Sequence, residues 1–200
     1  MHPVYVHIKK ELSPFYAEEE ASAMAKWISS DILHLSTLEL YTGKDMNFST
    51  KEWEELEDIL RRLKQREPLQ YILQEASFCG MSFHVEQGVL IPRPETEELV
   101  EWIVSDYREA GQVLILDIGT GSGCIPVSLA QLLPEAQVSS CDVSAEALRI
   151  AAMNIKRYGD KVTLFCADIL KEELPECQVD VLVSNPPYIT ESERTDMEAN

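Results

Sequence analysis

An α/β fold, built on a parallel sheet and preceded by a small helical bundle and a linking β-hairpin, is the class this sequence predicts. Three observations carry it. Apolar residues recur at helical spacing before residue 68, and after residue 92 strand-like and helix-like segments alternate. Four short apolar runs, Val113–Ile118, Val138–Val143, Val162–Cys166 and Val179–Ser184, have the length and composition of buried strands. The intervals Cys124–Leu133 and Ala145–Tyr158 are each long enough for a crossover helix, and repeated strand, helix, strand units with right-handed crossovers give a parallel sheet covered on both faces.

Along the chain, Ser13-Pro14 reads as an N-cap with proline in the first turn, opening a helix through about Leu33 with Tyr16, Met24, Trp27 and Ile28 on its buried side. Ser36 with Glu39, and Ser49 with Glu52, have the spacing of capping boxes before further helices. The second of these places Trp53, Leu56, Leu60 and Leu63 on one stripe, and Pro68 lies just beyond its end. Residues 77–91 group Phe78, Phe83, Val85, Val89 and Leu90 around Gly80 and Gly88, the pattern of a hairpin. Pro94 is placed to begin a helix carrying Leu99, Val100, Ile103, Val104 and Tyr107. The expected division is a helical bundle over 1–75, a hairpin linker over 76–92 and a sheet domain over 93–200.

The formal charge of −18 over 200 residues splits into −5 through residue 75 and −13 after it, so neither part is a basic nucleic-acid clamp. With no run of about 18 apolar residues, no membrane span is expected. Five cysteines, at 79, 124, 141, 166 and 177, form no C-x-x-C pair, and their odd number does not suit a disulfide framework. They read as reduced thiols, and the N-terminus lacks the apolar segment and cleavage site of a signal peptide, so a cytoplasmic protein is expected. No metal site is assigned.

Ligands on parallel α/β sheets sit at the C-terminal ends of the strands. The first strand runs into Asp117-Ile118-Gly119-Thr120-Gly121-Ser122-Gly123 and then a helix. Glycines there permit a tight turn and close backbone approach, and a helix N-terminus offers unsatisfied N–H donors, which is the chemistry of a nucleotide-type site. The spacing lacks the last glycine of the dinucleotide fingerprint, and a purely structural turn is the competing reading. Asp142 ends the second strand, where a carboxylate suits a ribose diol, or alternatively an N-cap for the helix that follows. Asp168 ends the third and could accept from an exocyclic amine. The fourth ends in Ser184-Asn185-Pro186-Pro187-Tyr188. Two prolines hold that segment extended without N–H donors, so it presents acceptors, the Asn185 side-chain oxygen and the Pro186 carbonyl, which suit a planar NH₂ group, with Tyr188 offering a face to stack on.

Together the DIGTGSG loop, the acidic ends of the second and third strands and NPPY resemble the S-adenosyl-L-methionine-dependent methyltransferases that modify planar amino groups. The string GVLIPRPETEELVEW at 88–102, joined to a helical bundle ending in PLQYIL, narrows the resemblance to the HemK/PrmC family, over about residues 14–200. That family methylates the glutamine amide of the GGQ motif of class I peptide-chain release factors in translation termination, leaving S-adenosyl-L-homocysteine. The resemblance implies a Rossmann-like class I methyltransferase sheet. It also implies cofactor contacts at Asp117, Ile118, Gly119, Thr120, Gly121, Asp142, Asp168, Ile169 and Asn185, and substrate binding and catalysis at Asn185, Pro186, Pro187 and Tyr188. The helical bundle is implied to dock the release factor. Gln74 stands where the family often has glycine before the hairpin, and the chain stops soon after the fourth strand, whereas the family's sheet continues. The corresponding expectation is a sheet truncated there, with an uncovered edge prone to self-association.

An amide nitrogen is a poor nucleophile because its lone pair is delocalised. Hydrogen bonds from both N–H groups to Asn185 and Pro186 would orient it and push density onto nitrogen. No histidine, at 2, 7, 34 or 84, falls at a predicted strand end, in keeping with a reaction that needs no dedicated base. Competing readings are an adenine amino methyltransferase of nucleic acid, disfavoured by the acidic charge, a methyltransferase for a ribosomal-protein glutamine, and a binding module without turnover.

Overall fold

The computed structural model describes residues 1–43, 48–171 and 178–186, and it divides into two compact units, 1–73 and 74–200. The first is helical: α1 (Pro3–Leu12), α2 (Glu18–Trp27), α3 (Thr37–Thr42), α4 (Thr50–Lys64) and α5 (Leu69–Leu73), with a π-helical turn at Ile28–Ile32. The expected helix from Ser13 to Leu33 forms only from Glu18, as α2 running on into the π-helical turn, and α1 before it was not anticipated. Ser13 closes α1 instead of opening a helix: both its N–H and its hydroxyl donate to the Lys9 carbonyl. Pro14, lacking an N–H, stops α1 from continuing. The true start is His2 followed by Pro3, where the imidazole Nδ1 accepts from the Val4 N–H. Ile28 is fully buried as expected, whereas Tyr16, Met24 and Trp27 only pack against a core of Val4, Ile8, Leu12, Ala21 and Ala25.

Both capping boxes form as expected, Ser36 with Glu39 and Ser49 with Glu52. On α4 the buried stripe is Leu56, Ile59, Leu60 and Leu63. Trp53 is displaced from it to the surface, where its ring meets Phe48 and His7 edge-on.

The second unit begins with an antiparallel hairpin, β1 (Glu75–Phe78) and β2 (Met81–His84), joined by Cys79 and Gly80, both at positive φ as a two-residue primed turn requires. Gln74 takes φ +55°, the left-handed conformation that glycine adopts most cheaply. Phe78 and Phe83 are fully buried in the unit's core, but Leu90, assigned to that group from sequence, is exposed. Then come α6 (Pro94–Tyr107), β3 (Leu114–Ile118), α7 (Cys124–Leu132), β4 (Gln137–Asp142), α8 (Ala145–Arg157), β5 (Val162–Cys166) and β6 (Val181–Ser184). Proline occupies the first turn of α6, where the missing N–H costs nothing. α7 is buried on all sides from Cys124 to Ala130, which explains its lack of amphipathic pattern.

The four-stranded sheet is parallel with order β5-β4-β3-β6, an α/β Rossmann-like arrangement as the sequence predicts. The chain steps outward from β3 to β4 to β5, then returns to β6 on the other flank of β3. The strand order reverses between β3 and β6, and the crevice outside their carboxyl ends is the place where such sheets bind ligands. No helix among the described residues is long and apolar enough to cross a membrane.

Candidate active site at the strand ends

β3 delivers Asp117 to the last buried position of the strand and then turns into the glycine loop. Gly119 (φ +80°) and Gly121 (φ +55°) both need the left-handed region, and a Cβ built on either would meet nothing within 4 Å. The loop is thus open on the side where its glycines face. Its other side is tightly held. The Gly119 and Thr120 N–H groups donate to the Cys141 carbonyl at 2.9 and 3.0 Å, and a Cβ on Gly123 would lie 3.2 Å from Ala151 of α8.

Asp117 is fully buried, and Ser140 on the neighbouring strand donates its hydroxyl to Oδ2 at 2.6 Å. Burial pushes the Asp117 carboxyl up to about 6, against the Ser140 and Thr120 hydroxyls that favour the charged form, while the Asp142 charge adds to the rise. Asp117 Oδ1 and the buried Thr120 Oγ1 lie near each other, but neither makes a well-formed hydrogen bond with any described residue. Orphaned polar atoms are rare in folded interiors, and a ligand in the loop can satisfy them.

Asp142, at the end of β4, accepts from the Gly121 N–H through Oδ2 at 3.0 Å and from the Ser144 N–H through Oδ1 at 2.9 Å. It is not the N-cap of α8. Ser144 fills that role, with its hydroxyl accepting from the Ala147 N–H. Each carboxylate oxygen can accept a further donor, so Asp142 braces the glycine loop and remains able to hold hydroxyls. Asp168 lies two residues beyond β5, and its oxygens accept from the Leu170 N–H and Lys171 Nζ. The Lys171 ammonium keeps its carboxyl below the ordinary range. Ile169 beside it is 41% exposed, an apolar side chain available to a ligand.

β6 brings its end beside β3. Ile118 pairs with Ser184, and the Ser184 hydroxyl donates to the Ile118 carbonyl at 2.8 Å. Asn185 is half-buried and Pro186 exposed immediately after it, while Pro187 and Tyr188 lie outside the described residues. Thus the glycine loop is hydrogen-bonded directly to Asp142, and Asn185 follows a residue, Ser184, that is hydrogen-bonded to the end of β3. Asp168 is tied in more loosely, through the Ala167 N–H to the Asp142 carbonyl.

Three residues absent from the sequence reading hold this arrangement. Ser140 partners Asp117. Thr96, on the first turn of α6 and 7% exposed, accepts from Asn185 Nδ2 at 2.9 Å. Asn154 of α8, fully buried, accepts the His84 N–H and donates to the His84 and Ser122 carbonyls, so it joins the hairpin to the glycine loop. Asn154 had a sequence signal: a polar residue on the same stripe as Ala147, Ile150 and Ala151 is a buried polar group in need of partners.

Comparison with known proteins gives the following. Residues 95–199 match the family model of the methyltransferase small domain, and residues 5–73 match that of the PrmC N-terminal domain. The chain is 45% identical to the release factor glutamine methyltransferase of Bacteroides thetaiotaomicron, covering 100% of this chain and 72% of that protein. It is 38% identical to the release factor glutamine methyltransferase of Flavobacterium psychrophilum, over 94% of this chain and 67% of that one. Among solved structures it is similar to the human methyltransferase 10 domain containing protein, with 25% identity, a TM-score of 0.45 and 60% of each chain covered.

Proposed function

The chain belongs to the release factor glutamine methyltransferase family, and from that premise we propose that it transfers a methyl group from S-adenosyl-L-methionine to the side-chain amide nitrogen of the GGQ glutamine of class I release factors. The observation that carries this reading is the meeting of two chemistries at one crevice. A glycine loop with orphaned polar atoms and the acceptor-rich Asn185-Pro186 segment leave adjacent strands on either side of the point where strand order reverses.

The residues fit the cofactor. The loop from Asp117 to Gly121 leaves open space and unpaired oxygens for its amino-acid end, Asp142 has acceptor capacity for ribose hydroxyls, and Asp168 with Ile169 offers an acceptor and an apolar contact for adenine. When bound, S-adenosyl-L-methionine supplies a sulfonium methyl group that a weak nucleophile can take. Asn185 Oδ1 and the Pro186 carbonyl accept the two amide N–H groups and hold the acceptor nitrogen in one orientation. Pro187 and Tyr188 complete the acceptor segment in this reading. The chain's role is positioning and electrostatics, with no side-chain base required. The helical unit is assigned the docking of the release factor, and the acidic surface argues against a nucleic-acid acceptor.

The test is methyl transfer from labelled S-adenosyl-L-methionine to a release factor and to its GGQ glutamine→Asn variant. Label on the intact factor alone is expected. Equal labelling of both, or labelling of adenine in nucleic acid instead, overturns the assignment of the acceptor.

A further inference from the structure

Asn185 is an amide, and the two ends of an amide do opposite things: the NH₂ donates and the carbonyl oxygen accepts. For an acceptor segment that receives N–H groups, only one orientation is productive. In the flipped orientation an NH₂ would face an NH₂, and the site would repel the group it has to hold.

The structure shows what holds the Asn185 amide in place and which end faces Thr96. The Asn185 Nδ2 hydrogen is donated to Thr96 Oγ1 at 2.9 Å, across 89 residues of sequence, and Thr96 is one of the few polar side chains buried in this unit. Thr96 is itself fixed. It sits in the first turn of α6, two residues after the proline that starts the helix, and its backbone N–H donates to the Arg93 carbonyl at 3.0 Å. The Ser184 hydroxyl, one residue before Asn185, is tied to the Ile118 carbonyl, so the backbone that carries the amide is anchored to β3. With the backbone fixed and the NH₂ engaged, Oδ1 is the end that remains to meet an acceptor, and no described residue donates to it.

We propose that Thr96 is a positioning residue for methyl transfer: its buried hydroxyl, bonded to the Asn185 NH₂, fixes the amide at the mouth of the crevice with the Asn185 carbonyl left to meet the incoming group. This rests on the proposed function for its substrate, while the orientation of Asn185 can be read without it. Thr96 is 7% exposed, and its hydroxyl is bonded to Asn185. It acts through Asn185, and a side chain of the same shape without the oxygen removes the hold while filling the same space.

The variants are Thr96→Val, which deletes the oxygen, and Thr96→Ser, which keeps it. With the release factor as acceptor, Thr96→Val is expected to lower kcat about 10- to 100-fold, the loss of an interaction that matters at the transition state, with S-adenosyl-L-methionine affinity by calorimetry and the melting temperature close to wild type. Thr96→Ser is expected to recover kcat to within about threefold of wild type. The readout independent of activity is hydrogen exchange of the Asn185 side-chain ¹⁵NH₂ protons, located in the spectrum by their disappearance in Asn185→Asp. Exchange should be slow in wild type and Thr96→Ser, and at least about tenfold faster in Thr96→Val. Unchanged exchange in Thr96→Val overturns the proposal, as does a kcat within twofold of wild type or a loss that Thr96→Ser fails to restore. Should the wild-type chain leave the release factor unlabelled, the proposed function falls and the exchange measurement still decides the role of Thr96.

Discussion

The two units use polar side chains in different ways. In the helical unit most of them serve their own helix: Ser36 and Ser49 close capping boxes three residues away, Ser22 and Ser29 bond the carbonyl four residues back, and Arg62 pairs with Glu67 just past the helix end. In the sheet unit they join distant elements: Thr96 to Asn185, Asn154 to His84 and Ser122, Ser140 to Asp117, Gly121 to Asp142. A polar group spent on its own helix sets where that helix starts and stops. One spent across a sheet sets where a neighbouring loop sits, and that is how a site is built from strands that carry little chemistry themselves.

Asn154→Ala puts this difference to its hardest test. It strands the buried Ser122 carbonyl and the part-buried His84 N–H and carbonyl, with an expected loss of about 4 kcal/mol in denaturant unfolding together with weakened cofactor binding. A loss under 1 kcal/mol with normal binding means that the glycine loop does not depend on α8.

Asp117→Asn comes next and is read through pH. The buried carboxyl titrates at about 6 in the folded chain and near its ordinary value of about 3.9 when unfolded, so the folded state holds the extra proton between those values. Its contribution is intact below pH about 4 and is lost as pH rises through about 6, a cost of about 3 kcal/mol at neutral pH. Asn keeps an acceptor for the Ser140 hydroxyl without the charge. Unfolding of the ligand-free chains from pH 4 to 8 should therefore show wild type losing stability relative to Asp117→Asn across that window, with a constant difference above pH 7. A pH-independent difference removes the electrostatic strain assigned to this strand end.

The smallest effect belongs to the helical unit. Ser49→Ala removes one cap and should cost about 1 kcal/mol, without altering methyl transfer per folded molecule. A defect in transfer from this change means that the cap of α4 reaches beyond its helix.

The same division explains what could be read from sequence. Strands, crossover helices, capping boxes and the glycine loop rest on local patterns, and each is found within a residue or two of its expected place. Exceptions arise where one residue serves two opposed purposes. Ser13-Pro14 has the spelling of a helix start and the chemistry of a helix stop, and only the Lys9 carbonyl, which takes both Ser13 donors, decides between them. Gln74 holds a left-handed turn that nothing in its side chain announces. Of the site, the groups at the strand ends were legible because the fold class says where to look. Their holders were not: Thr96 and Ser140 are ordinary residues whose partners lie 89 and 23 positions away, and no local pattern encodes such a meeting.

The order β5-β4-β3-β6 also sets a sequence in time. A chain emerging from the ribosome appears N-terminal end first. β3, β4 and β5 can pair as each leaves the tunnel, and by then Asp117 has Ser140 and Gly121 has Asp142. β6 must wait, because its partner is the strand made 66 residues earlier. Asn185 and its partner Thr96 thus come from opposite ends of the sheet unit, 89 residues apart, and meet only once β6 has returned to β3. The β3–β6 pairing spans more sequence than either of the other two, so the acceptor side of the crevice carries the largest loop-closure cost in the sheet.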